Sequence, residues 1–193
     1  AINKVIIGPQ KRSRVVTETD KRITAYHEAG HAILARLLPN CDPVHEVSII
    51  PRGQAAGYTM TRPDNDDNHL TKAKLLDDIV MTLGGRVAEI IEFGESSCGC
   101  SDDLRKALRI LDFIITESGK FGYEYLQCNT VRGGVTSEEQ CQKVVAKRVE
   151  ILNETHEKVK NIILEHKGVF DKIVSALETK HLLSREELLK MVA

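Results

Sequence analysis

The stretch from Ala25 to Ala32 has the sequence AYHEAGHA and lies in the middle of the first strongly periodic segment of the chain. Apolar residues recur at helical spacing from Ile23 to Leu38, and Pro39 ends the pattern. Thr17 offers a capping hydroxyl before this segment, and acidic residues follow it. The pattern therefore predicts an amphipathic helix with this stretch at its centre. Gly30 costs about 1 kcal/mol relative to Ala inside a helix, so we expect another backbone or a substrate to lie close to it.

Two histidines within this stretch are spaced for joint metal binding. His27 and His31 are four residues apart, which places both imidazoles on one face of a helix. Zn²⁺ suits neutral imidazole and, beside three protein ligands, keeps a fourth position for water. Glu28 follows the first histidine, so its carboxylate can accept a proton from that water as the water attacks a carbonyl. The spacing predicts a zinc hydrolase; the alternative is two structural histidines beside a solvated Glu28.

A third metal ligand is required, and the spacing alone does not locate it. Leu37 stands where the extended HExxHxxGxxH motif has its third histidine. The best local candidates lie in residues 98–104, where Asp102 and Asp103 stand at a predicted helix start beside two thiols. In the alternative, Ser101 is an N-cap and the two carboxylates only interact with the helix dipole. Both interpretations remain open at this level.

The rest of the pattern predicts a mostly α fold with one small sheet. Residues 44–50 and 57–61 favour a hairpin or edge sheet beside the first helix. Capping residues and apolar spacing predict further helices at residues 71–93, 102–118 and 169–177, and from Ser137 and Ser184 onward. We expect a single domain over residues 1–193, with an active-site part at 1–118 and a helical C-terminal part at 119–193.

Composition narrows the classes of function. The 193 residues include 27 basic and 28 acidic ones, and the formal net charge is −1. This balance, with 4% aromatic residues, argues against a nucleic-acid partner. No apolar run reaches the roughly 18–20 residues of a spanning helix, and no signal peptide is visible. Five cysteines, an odd count, favour reduced thiols in a cytosolic-type compartment. The remaining histidines are predicted to be surface or structural residues: His45, His69, His156, His166 and His181.

Three segments of the chain resemble a known family. They are residues 25–32 (AYHEAGHA), residues 44–53 (VHEVSIIPRG) and residues 83–89 (LGGRVAE). In sequence, order and spacing they resemble the FtsH-type ATP-dependent zinc metalloproteases, strongly to about Gly94 and more loosely afterwards. The resemblance implies a helical zinc metallopeptidase domain over residues 1–193. The implied activity is that of an endopeptidase that hydrolyses peptide bonds of unfolded or membrane-protein chains.

The resemblance also implies roles for individual residues. The family binds zinc through two histidines and an aspartate, and its segment GASNDL aligns with residues 99–104 (GCSDDL). The implied Zn²⁺ ligands are therefore His27, His31 and Asp103. Glu28 is the implied general base of catalysis.

Partners are implied as well. The family uses an edge strand, here within residues 47–50 or 57–61, to hold an extended substrate chain. Its peptidase domain forms a hexameric ring and follows an ATPase module and membrane helices, on the cytoplasmic face of the membrane. This chain has no GxxxxGK[ST] phosphate loop, so we expect it to bind no ATP itself. It begins with Ala1 rather than Met, which favours a trimmed piece of a longer parent over a stand-alone relative.

Cys98 and Cys100 depart from the family pattern, which has small or hydroxyl residues there. Thiolate is a good zinc ligand, so either cysteine can compete with Asp103 or make the site redox-sensitive. The alternative is two small cysteines without a role. Two rival functions are a non-catalytic, ring-forming scaffold with a degenerate metal site, and a zinc hydrolase with a non-peptide substrate.

Overall fold

The structure, a computed structural model, describes residues 16–53, 55–63, 69–122, 125 and 138–192. Most of these residues are helical, which confirms the predicted mostly α fold. The helices are α1 (Glu18–Leu37), α2 (Lys72–Thr82), α3 (Gly84–Phe93), α4 (Ser101–Asp112), α5 (Glu138–Glu165), α6 (Lys167–Lys180) and α7 (Arg185–Met191). A 3₁₀ turn (Cys98–Cys100) precedes α4, and a π-helical turn (Phe113–Glu117) follows it. The strands are β1 (Val44–Ser48), β2 (Tyr58–Thr61) and β3 (Leu182–Ser184).

Helix α1 begins at the predicted cap. The Thr17 hydroxyl accepts a hydrogen bond from the Asp20 backbone N–H at 3.0 Å, and the Asp20 carboxylate accepts one from the Thr17 N–H at 3.3 Å. All residues from Glu28 to Ala35 are buried, so the metal-binding motif lies on a central helix rather than on a surface one.

Helix α3 lies directly against α1 because both helices carry glycine at the crossing. A Cβ on Gly30 would lie 2.4 Å from the Gly84 carbonyl oxygen, and a Cβ on Gly84 would lie 2.6 Å from the Gly30 oxygen. The backbones therefore touch without side chains between them, as expected for the glycine in the motif. One turn of α1 away, a Cβ on Gly85 would lie 2.5–2.6 Å from three atoms of the His27 ring.

The single helix predicted over residues 71–93 is wrong, because the chain forms two helices that meet at Leu83. The predicted start is correct: the Thr71 hydroxyl caps α2 by accepting from the Lys74 N–H at 3.1 Å. Leu83 is followed by two glycines, which stabilise a helix poorly but allow α3 to approach α1. Gly94 ends α3 with a φ of 80°, a left-handed conformation that favours glycine.

The predicted hairpin is confirmed, but the sheet has a further strand. Strands β1 and β2 pair antiparallel, and β3 pairs antiparallel with the other side of β1, so the order is β2-β1-β3. The sequence analysis missed β3, since three residues are too few to show a strand pattern and their partner lies far away in the chain. In the described part of the chain β2 is an edge strand.

The C-terminal helices complete the core. The predicted capping box at Ser184 is confirmed: its hydroxyl accepts from the Glu187 N–H at 3.3 Å, and the Glu187 carboxylate accepts from the Ser184 N–H at 3.0 Å. The capping box predicted at Ser137 lies outside the described residues. One buried cluster joins α1, α3, α6 and the sheet, and a second joins α2, α4 and α5. No described helix is both long and apolar enough to cross a bilayer.

Replacement of Gly30 by Ala should lower the free energy of unfolding by about 1–3 kcal/mol, since the new methyl group overlaps the Gly84 backbone. Gly168→Ala in α6 is the matched control. A Cβ there meets nothing within 4 Å, so this variant should gain about 0.5 kcal/mol from helix propensity alone. Urea denaturation of the two variants measures both values. Equal changes in the two variants would contradict the proposed backbone contact.

Candidate metal centre

Three of the residues predicted from the sequence meet at one point. The His27 Nε2 and His31 Nε2 atoms lie 3.0 Å apart. The Asp103 Oδ2 atom, from the first turn of α4, lies 3.1 Å from His27 Nε2 and 3.3 Å from His31 Nε2. Ligand atoms that bind one tetrahedral Zn²⁺ at about 2.0–2.1 Å are separated by about 3.3 Å. The three atoms are therefore spaced for a single metal ion.

The hydrogen bonds of the other ring nitrogens fix which imidazole atoms face this point. His31 Nδ1 lies 2.8 Å from the Met81 carbonyl oxygen, which can only accept, so Nδ1 carries the hydrogen. His27 Nδ1 lies 2.7 Å from the Glu89 Oε1 atom and donates in the same way. In neutral rings, both Nε2 atoms then present lone pairs toward the Asp103 carboxylate. Three acceptors at one point repel each other unless a cation, either a proton or a metal ion, lies between them, and this ligand set fits Zn²⁺.

The electrostatics of the cluster also favour positive charge at this point. Burial lowers the pKa of His27, but hydrogen bonds with Asp103, Cys100 and Glu89 outweigh it and hold that pKa well above its usual value. Burial raises the pKa of Asp103, but hydrogen bonds with His27 and His31 hold it well below its usual range. The protein thus stabilises a proton between these groups, and a divalent cation can take the place of that proton.

Glu28 lies beside the cluster and is itself almost fully buried. The Thr59 hydroxyl donates a hydrogen bond to its Oε2 atom at 2.8 Å. Burial raises the pKa of Glu28 above its usual value, although His27, His31 and Thr59 oppose the shift. A raised pKa makes this carboxylate a stronger base than one in water. Glu28, the three clustered residues and strand β2 line one cleft of about 690 Å³.

Glu89 accepts three hydrogen bonds beside the cluster, and the sequence analysis gave it no role. Its Oε1 atom accepts from His27 Nδ1 and from the Cys100 thiol at 3.3 Å, and its Oε2 atom accepts from the Ser97 N–H at 2.5 Å. Burial raises the pKa of Glu89, but these hydrogen bonds outweigh it, so the pKa is lowered and the group stays a carboxylate. The available signal was a lone acidic residue in the apolar run Val87–Ile91.

The two neighbouring aspartates differ in the structure. Asp103 points to the histidines, whereas Asp102 is exposed and pairs with Arg105 on the surface. The alternative in which Ser101 is the N-cap is wrong, because α4 begins at Ser101 and its hydroxyl instead donates to the Cys98 carbonyl at 2.7 Å. The 3₁₀ turn already positions the chain at this point, so no side-chain cap is needed.

The two cysteines near the site also differ. Cys100 is buried, and its sulfur lies 3.8 Å from His27 Nδ1, the ring atom that faces Glu89 rather than the metal point. Cys98 is exposed. Two groups of potential ligands lie among the described residues: His27, His31 and Asp103 include no thiol, whereas His27, Glu89 and Cys100 include one.

The remaining histidines lie at or near the surface, as the sequence predicts. His156 is partly buried, and the other four are exposed: His45, His69, His166 and His181.

The comparison with protein families decides the relationship. The model of peptidase family M41 matches residues 14–191, nearly the whole chain. The chain belongs to peptidase family M41. Similar proteins include ATP-dependent zinc metalloprotease FtsH 1 of Thermoanaerobacter sp. (strain X514), 39% identical over 99% of this chain and 33% of the relative. The ATP-dependent zinc metalloprotease FtsH of Caldicellulosiruptor bescii is 39% identical over 100% of this chain and 33% of its own length.

These matches confirm the resemblance to FtsH-type proteases. The identity is higher over part of the M41 domain: the Veillonella parvula FtsH is 50% identical over 119 residues, 62% of this chain and 18% of that protein. The chain spans about a third of the length of the Thermoanaerobacter and Caldicellulosiruptor relatives.

Replacement of Glu89 by Gln should weaken the affinity for a divalent metal about tenfold. An amide keeps the size of the side chain but removes its charge, and its NH₂ group opposes either the Ser97 or the His27 donor. Glu92→Gln, on the same helix, is the control, because Glu92 contacts Arg22 and Tyr26 and belongs to no ligand group among the described residues. Zinc titration against a chromophoric chelator measures the affinities. The same affinity for both variants would contradict the role of Glu89.

Proposed function

We propose that this M41 domain is a zinc-dependent endopeptidase, with Zn²⁺ held by His27, His31 and Asp103 and with Glu28 as the general base. The observation that carries the proposal is the convergence of three hydrogen-bond acceptors on one point, with both Nδ1 hydrogens fixed away from it. Family membership supports the same assignment, since the relatives are named zinc metalloproteases.

The residues of the chain divide the chemistry between them. When bound, zinc would polarise the peptide carbonyl and lower the pKa of a water molecule in the cleft. Glu28 accepts a proton from that water and passes it to the leaving amine nitrogen. Burial favours proton uptake, because it raises the pKa of Glu28 above its usual value and so makes the carboxylate a stronger base. Glu89 keeps the His27 ring oriented through both steps.

The edge strand β2 supports an extended polypeptide as the substrate. The Arg62 N–H donates to the Pro43 carbonyl at 3.0 Å, so the backbone hydrogen-bonding groups of Arg62 face the chain of β1. Backbone directions alternate along a strand, so Tyr58 and Met60 direct their N–H and C=O groups to β1, while those of Thr59 and Thr61 face the open edge. A chain that pairs there forms main-chain hydrogen bonds beside the cleft and is recognised with little dependence on its sequence.

The assembly around the domain is part of the proposal. The relatives are named ATP-dependent, and this chain covers 33% of their length, so an ATPase module in the parent protein would deliver the unfolded or membrane-protein substrates. By family resemblance, six copies form a ring on the cytoplasmic face of a membrane-anchored parent.

The scaffold alternative requires a metal site damaged by divergence after Gly94. In the structure, Asp103 lies beyond that point and still meets both histidines, which favours the peptidase. The open strand edge beside the cleft favours a polypeptide substrate over a small non-peptide one.

Metal analysis of the purified domain tests the ligand set. We expect one zinc per chain, lost in Asp103→Ala because the site then keeps only two ligands. Zinc should remain in Asp102→Asn, Cys98→Ala and Cys100→Ala, whose side chains do not belong to the group of His27, His31 and Asp103. Zinc that survives Asp103→Ala and disappears with a cysteine would refute the assignment. A chain that takes up no zinc would favour the scaffold.

Replacement of Glu28 by Gln should leave the zinc content unchanged and lower kcat for cleavage of an unfolded protein at least about 100-fold, because an amide cannot accept the proton. Cleavage of unfolded casein, with zinc measured on the same samples, gives both quantities. Rapid cleavage by the Gln variant would remove Glu28 from the mechanism, and cleavage of small esters alone would support the non-peptide hydrolase.

A further inference from the structure

The two oxygens of the Glu28 carboxylate lie beside strand β2 and the residue that precedes it. The Thr59 hydroxyl donates to Oε2 at 2.8 Å. The other oxygen, Oε1, lies where a side chain on Gly57 would collide with it, only 2.8 Å from the position of a Cβ. Gly57 has no side chain, so its backbone can lie close to Oε1, and both residues line the cleft. One oxygen thus accepts a hydrogen bond from Thr59, and the other lies beside the Gly57 backbone.

No other described side chain donates a hydrogen bond to this carboxylate. Glu28 has a long side chain with several rotatable bonds, and helix α1 by itself fixes only the position of its Cα and Cβ atoms. The Thr59 hydroxyl, which also lies 3.2 Å from the Glu28 carbonyl oxygen, is therefore the described group that selects the orientation of the carboxylate.

Thr59 also stands at the point where a substrate chain would pair. Its side chain points to α1, whereas its backbone N–H and C=O face the open edge of the sheet, as the register with β1 requires. The same residue thus contacts the general base through its side chain and offers its main chain to the substrate.

We propose that Thr59 is a positioning residue that holds Glu28 in the orientation of the general base and ties that orientation to the strand on which the substrate binds. The proposal rests on the proposed peptidase function. The hydroxyl engages Oε2 as a donor, so Oε1, which accepts from no described side chain, is left as the proton acceptor. A substrate strand that pairs at Thr59 then lies in a fixed relation to the carboxylate that activates water.

Three variants test this role. Thr59→Val keeps the shape and the strand propensity of the side chain but removes the donor, and Thr59→Ser keeps the donor. Thr116→Val is the matched control, since the Thr116 hydroxyl also donates a hydrogen bond, at 2.7 Å to the Asp112 carbonyl, and lies away from the cleft. Zinc content, kcat and KM for an unfolded substrate, and crystal structures of the zinc-loaded proteins are compared.

We expect Thr59→Val to lower kcat about tenfold or more with zinc content and KM unchanged, because a misplaced base slows proton transfer without loss of main-chain pairing. Thr59→Ser should recover most of the rate, and Thr116→Val should match the parent. In the crystal structures, the Glu28 carboxylate should keep its orientation with Ser and rotate away from it with Val.

Specific outcomes would overturn the proposal. They are a Val variant whose kcat equals that of the parent, a rate loss that Ser does not recover, and a Glu28 carboxylate that keeps its place in the Val structure. The crystallographic comparison does not depend on activity. If the parent chain binds zinc but cleaves no polypeptide, the peptidase function fails, while the orientation of Glu28 still decides whether Thr59 positions it.

Discussion

The close contact between α1 and α3 is the constraint on which the site depends. Gly30 and Gly84 let the two backbones touch, and this contact places the next residues of α3 against the metal-binding face of α1. Gly85 leaves space for the His27 ring, and Glu89, one turn further along, accepts the hydrogen of His27 Nδ1. A wider crossing of the helices would move Glu89 out of hydrogen-bond reach of His27 Nδ1.

The second constraint is charge. Glu28, Glu89 and Asp103 bring three carboxylates close together, and two of them are almost fully buried. Buried carboxylates are costly unless they are paired with positive charge or with hydrogen-bond donors. The raised pKa of His27 follows from this charge, because hydrogen bonds with Asp103 and Glu89 favour the protonated ring. A divalent cation offsets more of this negative charge than a proton does. The same features that make the cluster costly without metal make it suitable for zinc.

The helical elements show how far local patterns reach. The caps at Thr17, Thr71 and Ser184 were predicted correctly, because a cap involves residues within one turn of each other. The break at Leu83 was missed, since the apolar spacing continues through it and only the approach to α1 requires the chain to turn. Strand β3 was missed for a similar reason, because its pairing with β1 joins residues such as Glu46 and Ser184.

The sequence by itself determined the helix that carries His27, Glu28 and His31 and the direction in which both imidazoles point, because spacing within one helix fixes these. It also limited the third ligand to a short acidic segment, where family resemblance, rather than spacing, indicated Asp103. Only the tertiary structure decided that Asp103 faces the histidines while Asp102 faces solvent, that Glu89 orients His27, and that Thr59 holds Glu28. The residues that these contacts join are 31 to 76 positions apart in the sequence. No local pattern encodes such contacts, since they arise from how helices and strands pack against each other.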